Sequence, residues 1–281
     1  MNSDLITSYV SYGKQTSLAN NLVINMSDDL ISVAQYQSNA NDTEFLCAQH
    51  VTFNPLEYNA EKAFLGLIKQ FNALAKADQK VQVNYFTKQF TLCPTDLYSD
   101  ESKKKLLEFN VGDIDNQLVG VNDITPDIKL IFAINEILKS TIDQVFPQHH
   151  LKHSLCSLAQ LALHADEFTK EQIVIEVHQH TMEVVVKNNN KLLLANTYEV
   201  KSTEDVLYYV LFIIEQFEFN PLTVGVAVAG NFESTSPIIV TLKKYIKSVK
   251  LAKGHKQINW SHLTGMPQHH NYLLLNSVFC E

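Results

Sequence analysis

The hydrophobic positions between residues 172 and 229 change from a two-residue repeat to a helical repeat and back. Alternation of apolar and polar residues predicts three strands joined by tight turns, over 173–177, 182–186 and 192–198. An apolar helix over 206–217 and a short apolar strand over 224–228 follow. This part of the chain therefore has the predicted order strand, strand, strand, helix, strand.

The same order occurs in the first third of the chain. Alternating residues again predict three strands, over 22–26, 30–36 and 45–53. Phe64, Leu67, Ile68 and Phe71 then recur at helical spacing, and 81–86 is the next predicted strand. A supersecondary unit that occurs twice is a stronger indication of fold than either copy alone.

Each unit fits a sheet with three antiparallel strands and a fourth strand joined in parallel through a right-handed crossover. That arrangement is the core of an RNase H-like half. We therefore predict an α/β fold of two duplicated RNase H-like lobes, each with a mixed five-stranded sheet and helices. The N-terminal lobe, with an insertion, is placed at 1–167 and the C-terminal lobe at 168–281, with the boundary near Asp166 to Lys170.

Three further segments carry specific expectations. Residues 1–20 are predicted to form a loose arm with some order near 5–9, and residues 151–163 fit either a helix or a strand followed by a helix. The predicted helix over 206–217 is apolar on all sides. Because such a helix must be covered on all sides, we predict that it is the most buried helix of the protein.

Composition limits the function classes. The 281 residues are 46% hydrophobic and 19% charged, as in an ordinary globular protein, and the net charge of -8 disfavours a general nucleic-acid binder. No apolar run approaches the ~20 residues of a membrane span, and the N-terminus lacks the apolar region of a signal peptide. The four cysteines are far apart, which favours free thiols and a cytoplasmic location.

Four segments then point to a known family: LLLANTY at 192–198, EDVLYY at 204–209, LLN at 274–276 and CE at 280–281. In these segments the chain resembles a family of uncharacterised bacterial proteins with an actin-like ATPase fold, the fold of actin, sugar kinases and heat-shock chaperones. The resemblance covers most of the chain. It implies two RNase H-like lobes and, in active members of the superfamily, a nucleotide site.

The resemblance implies that two loops would hold nucleotide phosphates, each between the first and second strands of a lobe. Such loops contain an Asp for the metal and glycines that let backbone N–H groups approach phosphate. The matching turns here are residues 25–29 and 178–181, and neither contains glycine. Asn25 stands where the Asp is expected, which leaves Asp28 or Asp29 as the candidate for magnesium.

A third loop of the superfamily holds adenosine and contains a Gly-Gly pair followed by Ser and Pro. Residues 229–237 match it in part, through Gly230, Asn231, Ser234 and Pro237. The alternative interpretation, which we favour, is an ordinary strand-to-helix turn with Ser234 or Ser236 as the helix N-cap.

A histidine cluster is the remaining candidate for chemistry. His149, His150 and His153 have spacings that would let two of them bind zinc if the segment were helical. The sequence indicates no further ligand, so we expect no metal site. His178 and His180 share one face of a strand, which we expect to face solvent.

Three functions are then compared. The first is a non-catalytic scaffold or protein-interaction role with a degenerate nucleotide site, with no cofactor and with a protein partner or self-association. The alternative is an active ATP-binding ATPase or phosphotransferase with divergent loops, using magnesium. A nuclease ranks last because two-metal catalysis needs several carboxylates. The first strands of the two predicted lobes offer only Asn25 and Glu176. The missing glycines favour the first function.

Overall fold

The computed structural model describes residues 6–13, 21–27, 30–40, 42–53, 60–70, 80–164 and 170–280. The chain divides into two compact units. The first consists of Met1–Ser157 and Lys256–Met266, and the second of Leu158–His255 and Pro267–Cys280. Most of the predicted boundary segment lies outside the described residues, so the boundary at 167/168 stays a prediction.

The first half of the chain alternates strands and helices. Its elements are β1 (Ile6–Gly13), β2 (Asn21–Met26), β3 (Leu30–Ser38), β4 (Thr43–Phe53), α1 (Ala60–Gln70), β5 (Lys80–Tyr85), β6 (Phe90–Pro94), α2 (Lys103–Val111), β7 (Gln117–Thr125), β8 (Ile128–Asn135), α3 (Glu136–Val145), β9 (His149–His153) and α4 (Ser154–His164). The segment 151–163 is therefore the end of a strand followed by a helix, the second of the two predicted alternatives.

The second half begins with the three strands, helix and strand that the sequence predicts. Its elements are β10 (Glu171–Val177), β11 (Thr181–Asn188), β12 (Lys191–Glu199), α5 (Thr203–Gln216), β13 (Gly225–Gly230), α6 (Pro237–Tyr245), β14 (Ser248–Leu251), β15 (Ile258–Asn259) and α7 (Tyr272–Asn276). Among the described residues, no helix combines the length and apolar character needed to span a bilayer.

The two main sheets share a strand order. The sheet of the second unit runs β12-β11-β10-β13-β14, and the first unit contains the corresponding series β4-β3-β2-β5-β9. In both, the first three strands are antiparallel and the fourth is parallel, as predicted, and the fifth strand is also parallel. The first unit extends the predicted five strands with β1 and β15, which both pair with β4.

Strand β1 corrects in part the prediction of a loose arm with some order near residues 5–9, because the ordered segment is a full strand that continues to Gly13. Ile6–Gly13 pairs antiparallel with β4 over its whole length, with one irregularity between Ile6 and Ser8. The alternation of residues in this segment is weak, so its strand character depends on the neighbour that supplies the hydrogen bonds rather than on local pattern.

The insertion of the first unit forms a separate three-stranded sheet in the order β6-β8-β7. Helix α2 packs on it through Leu107, which is fully buried with Ile114, Ile131 and Ala133. The lysine run at residues 103–105 lies at the start of α2, where Lys103 and Lys104 pair with Asp100 and Glu108 of the same segment.

Helix α5 corrects a second prediction. Val206, Val210, Ile213 and Ile214 are buried against the sheet of the second unit, at the spacing of one helical face. The opposite face is open, because Tyr208 and Phe212 are 62% and 42% exposed. The helix therefore has one buried face and is not the most buried helix; all five residues of α7 are buried.

Candidate functional site

A row of polar side chains crosses the second sheet on the face opposite α5. On β10 and β11, Glu176 lies directly across from Glu183, and Gln172 lies across from Lys187. All four side chains are buried, with exposures between 0% and 4%. Their neighbours on the same strands point to the apolar core under α5, because side chains alternate between the two faces of a sheet.

The carboxyl pair is held by groups from two directions. His178 Nε2 lies 3.1 Å from Glu183 Oε2, at the turn that joins β10 to β11. The backbone N–H of Leu273, at the start of α7, donates to Glu176 Oε1 over 3.5 Å. Among the described residues, Glu176 Oε2 and both amide atoms of Gln172 have no hydrogen-bond partner.

Burial raises the pKa of Glu176 to about 7. The charge of His178 and the N–H of Leu273 oppose this increase, and the nearby Glu183 adds to it. A carboxyl that is buried beside a second carboxyl holds its proton because the charged form is poorly solvated there. This position can therefore hold and release a proton close to neutral pH.

The turn beside this pair is short. Val177 pairs with Met182, and the N–H of His178 donates to the carbonyl of Thr181 over 2.8 Å. The side chain of His178 bonds to Glu183, so it does not simply face solvent as predicted.

The corresponding turn of the first unit is closed by the same kind of backbone hydrogen bond. Met26 pairs with Ile31, and the N–H of Ser27 donates to the carbonyl of Leu30 over 2.8 Å. The N–H of Leu30 in turn donates to Ser27 Oγ over 3.0 Å. Asp28 and Asp29 lie outside the described residues, so the predicted role of Asp28 stays a prediction.

Asn25 occupies the position of β2 that corresponds to Glu176 on β10, one residue before the last pair of each hairpin. Asn84 Nδ2 donates to Asn25 Oδ1 over 2.7 Å. Ser157 Oγ lies 2.9 Å from Asn84 Oδ1. The first unit therefore has a neutral amide network where the second unit has a carboxyl pair.

The loop that was matched to an adenosine loop follows β13 and packs on its own chain. Gly230 is buried at the end of β13, with a φ of +142°. Its N–H donates to the carbonyl of His269 over 3.0 Å. A Cβ at this position would lie 2.5 Å from the carbonyl oxygen of Val177 and from the ring of Phe232, which explains the glycine.

The next residues of the loop contact the same segment. The side chain of Asn231 accepts from the N–H of Asn271 over 2.9 Å. His269 Nε2 and His270 Nε2 lie 2.7 Å and 2.9 Å from the carbonyl oxygen of Phe232. Burial lowers the pKa of His269, against the effect of its bond to Phe232.

The remaining predicted site residue is at the surface. Ser234 is exposed, whereas Ser236 is the N-cap of α6 and accepts from the N–H of Ile238 over 3.4 Å. Gly230 and Asn231 therefore lie together in one packed loop, and Ser234 points to the outside of the same turn region.

The histidine cluster lies on strand β9 and not on a helix, so the helical spacing does not apply. His153 is fully buried; its Nε2 lies 2.9 Å from the carbonyl oxygen of Thr87, and its Nδ1 accepts from the N–H of Leu155 over 3.1 Å. His149 Nδ1 lies 2.8 Å from the carbonyl oxygen of Phe146. Within the described ranges, no group of three or more possible ligand side chains is placed to hold a metal ion.

Sequence reasoning missed the pairing of Glu176 with Glu183. Glu176 was considered only as one carboxylate of a nuclease, and Glu183 was not considered. The available signal was symmetry: the two glutamates are equally far from the short turn, in strands that are otherwise apolar. Residues equally far from a tight hairpin turn face each other across it.

Comparison with known families gives a clear match. The family model described as "Protein of unknown function (DUF3822)" matches residues 11–249. The chain belongs to the DUF3822 family. Comparison with curated protein sequences gives no match.

Solved structures show the fold of this DUF3822 chain. A crystal structure from Bacteroides thetaiotaomicron VPI-5482, of a protein with an actin-like ATPase fold and unknown function, is 21% identical with a TM-score of 0.72. That match covers 87% of this chain and 94% of the other. The PilM-PilN type IV pilus biogenesis complex matches at 9% identity with a TM-score of 0.62, over 93% of this chain and 94% of the other.

These matches confirm the predicted actin-like ATPase fold and the predicted family resemblance. At such low identity they establish the fold alone. The function has to be argued from the residues of the DUF3822 chain itself.

Proposed function

We propose that this protein is a non-catalytic member of the actin-like ATPase fold, with a degenerate nucleotide site and a scaffold or protein-interaction role. The observation that carries the proposal is the glycine-free turn between β10 and β11, which is closed by the hydrogen bond from His178 to Thr181. A phosphate cradle needs several N–H groups that point inward and a backbone that can approach the phosphate closely. Here His178 directs its N–H across the turn.

The first unit supports the same interpretation. The N–H of Ser27 is used in the same way, on Leu30, and the chain has no glycine between Gly13 and Gly66. The equal strand order of the two sheets also supports our proposal that the halves arose by internal duplication. Both phosphate turns would then have lost their glycines.

The loop at Gly230 supports the absence of an adenosine site. Its N–H and the side chain of Asn231 are bonded to the chain's own residues 269–271. A ligand in this loop would have to replace these contacts. These contacts support the proposal that this loop holds no magnesium nucleotide.

One observation favours the alternative, an active ATP-binding member. Glu176 is a buried carboxyl with an unbonded oxygen, at the end of the first strand of the second unit. A titratable group with a shifted pKa is a candidate for function. Against this, one backbone N–H among the described residues donates to Glu176, that of Leu273, at the long distance of 3.5 Å.

Two further features support the proposed protein-interaction role and the proposed cytoplasmic location. PilM, which has this fold, was solved with PilN as a pilus biogenesis complex, so the fold can act in a protein assembly. All four cysteines are buried thiols, which supports the proposed cytoplasmic location because thiols persist under reducing conditions.

Thermal unfolding in the presence of Mg-ATP and Mg-ADP tests the proposal. A ligand that binds the native state tightly must raise the midpoint of unfolding. We expect no shift with either nucleotide. A shift that grows with nucleotide concentration would contradict the proposal and favour the ATP-binding alternative.

A further inference from the structure

The exposed apolar side chains of the second unit are concentrated on one layer. In the described part of this unit, every large hydrophobic side chain that is exposed belongs to α5, α6 or the turn after α5. These are Tyr208, Phe212, Leu222, Val240 and Tyr245, with exposures of 62%, 42%, 65%, 49% and 56%. We call this surface the α5–α6 face. Concentrated apolar exposure of this kind marks interaction sites on soluble proteins.

The aromatic side chains of this face are held in place by one another. The rings of Tyr208 and Phe212 are stacked at 6.2 Å, and the ring of Tyr209 lies 5.3 Å from that of Tyr208. Tyr209 in turn stacks on Tyr198 of β12 at 4.4 Å. Ordered aromatic side chains lose little conformational freedom on binding, which favours them as contact residues.

The charges on the two helices have opposite signs. On α5 the exposed Glu204 and Glu215 stand at either end of the aromatic pair, four residues before Tyr208 and three after Phe212. On α6 the exposed charged residues are Lys243 and Lys244.

None of these four charged side chains makes an ion pair or a side-chain hydrogen bond within the described part of the chain. The α5–α6 face therefore carries an acidic half and a basic half, and neither is neutralised by the described residues.

We infer that the α5–α6 face binds the same face of a second copy of this chain. Under a two-fold axis, α5 of one copy lies over α6 of the other, and the same contact is made twice. Each acidic half then meets a basic half, and the aromatic pair packs against Val240 and Tyr245. This rests on the proposed interaction function and names a second copy as the partner.

The charge pattern is the reason to prefer a second copy. A partner of another kind would need its own acidic and basic halves in the matching order, whereas a second copy has them by construction. The separation of acidic residues on α5 from basic residues on α6 also disfavours pairing in which α5 meets α5, because like charges would face each other.

Sedimentation of the full chain tests this inference with charge reversals that need not disturb the fold, since all four residues are exposed. One variant carries Glu204→Lys and Glu215→Lys, and the other carries Lys243→Glu and Lys244→Glu. We expect the native chain to form a dimer, and each variant alone to raise the dissociation constant by about tenfold or more.

Mixing the two variants is the decisive part of this experiment. In a mixed pair, the lysines placed on α5 of one copy meet the glutamates placed on α6 of the other at one contact, and the native lysines of α6 meet the native glutamates of α5 at the second contact. We therefore expect a one-to-one mixture to recover the dimer, and a chain with all four reversals to dimerise alone. Phe109→Ser serves as the matched control, because Phe109 is 89% exposed in the first unit and should leave the dimer unchanged.

The native chain remaining monomeric up to about 100 μM would overturn the inference, as would variants that dimerise like the native chain. A dimer lost in both variants but not recovered on mixing would point to another face or partner and would also overturn it. These outcomes are separate from nucleotide binding. Binding of Mg-ATP would contradict the proposed function whether or not the chain dimerises.

Discussion

Glu176 and Glu183 face each other across neighbouring antiparallel strands, and both side chains are buried. His178 contacts one carboxyl, and the N–H of Leu273 contacts the other. Two carboxyl groups buried side by side lower the stability of the fold when they are charged, because an uncompensated buried charge is destabilising. The protonation of Glu176 is therefore expected to affect the stability of the second unit.

We predict that Glu176→Gln changes the pH dependence of folding. The pKa of Glu176 is about 7 in the folded chain, against 4.5 in the unfolded chain. The neutral carboxyl therefore contributes stability that is fully present below pH 4.5 and is lost as the pH rises to about 7. Relative to the variant, the native chain should lose about 3 kcal/mol of unfolding free energy across this range.

Denaturant unfolding at several pH values measures this difference. Glu101→Gln serves as the matched control, because Glu101 is exposed in the first unit and its variant should follow the native curve. If the curves of the native chain and Glu176→Gln run parallel from pH 4.5 to 7, the carboxyl is not held neutral by burial.

The open face of α5 leads to a second prediction. Ile213 is 2% exposed and Phe212 is 42% exposed, although the two residues are adjacent. Ile213→Asp should prevent soluble expression, because an unpaired buried charge costs several kcal/mol. Phe212→Asp should fold, and the unfolding free energy of its monomer should change by no more than about 1 kcal/mol. Soluble yield and thermal unfolding of both variants distinguish a one-faced helix from a fully covered one.

The strand and helix order could be predicted because the apolar repeats are local. The alternation of apolar and polar residues within 22–53 and 172–198 was sufficient to predict strands there, and the structure has six strands in these two segments. The covering of α5 could not be predicted in the same way. Its residues 206–214 are apolar throughout, and only the tertiary neighbours decide which of them are buried.

The candidate site was predictable only in part. The absence of glycine from the turn at 178–181 could be read from the sequence alone. The packing of Gly230 against His269 could not, because the two residues are 39 positions apart and no pattern links them. A longer distance in sequence, 97 positions, separates Glu176 from Leu273, whose N–H helps to hold it.

A third prediction concerns Gly230. A Cβ there would overlap the carbonyl oxygen of Val177 and the ring of Phe232, so Gly230→Ala should destabilise the chain through both backbone strain and overpacking. Gly112→Ala is the matched control, because Gly112 also has a positive φ, +83°, but has open space around it. We expect Gly230→Ala to cost about 2 kcal/mol more than Gly112→Ala in denaturant unfolding. Equal costs would show that the loop can open to accept a side chain.

A fourth prediction separates the two serines before α6. Ser236 is the N-cap and Ser234 is exposed without that contact. Ser236→Ala should lower the unfolding free energy by about 1 kcal/mol, and Ser234→Ala should leave it unchanged. Loss of stability in Ser234→Ala instead would assign that hydroxyl a structural role that its position does not indicate.

Isothermal titration calorimetry with ATP, ADP and adenosine, each with and without magnesium, tests the central claim most directly. The degenerate site predicts no appreciable binding of ATP, and the same chain should show no appreciable ATP hydrolysis. Weak binding of all three ligands with equal affinity would mean that phosphate contributes nothing, which also agrees with glycine-free turns. Micromolar ATP binding that requires magnesium, and that is lost in Asp28→Ala, would contradict the account and establish an active nucleotide site.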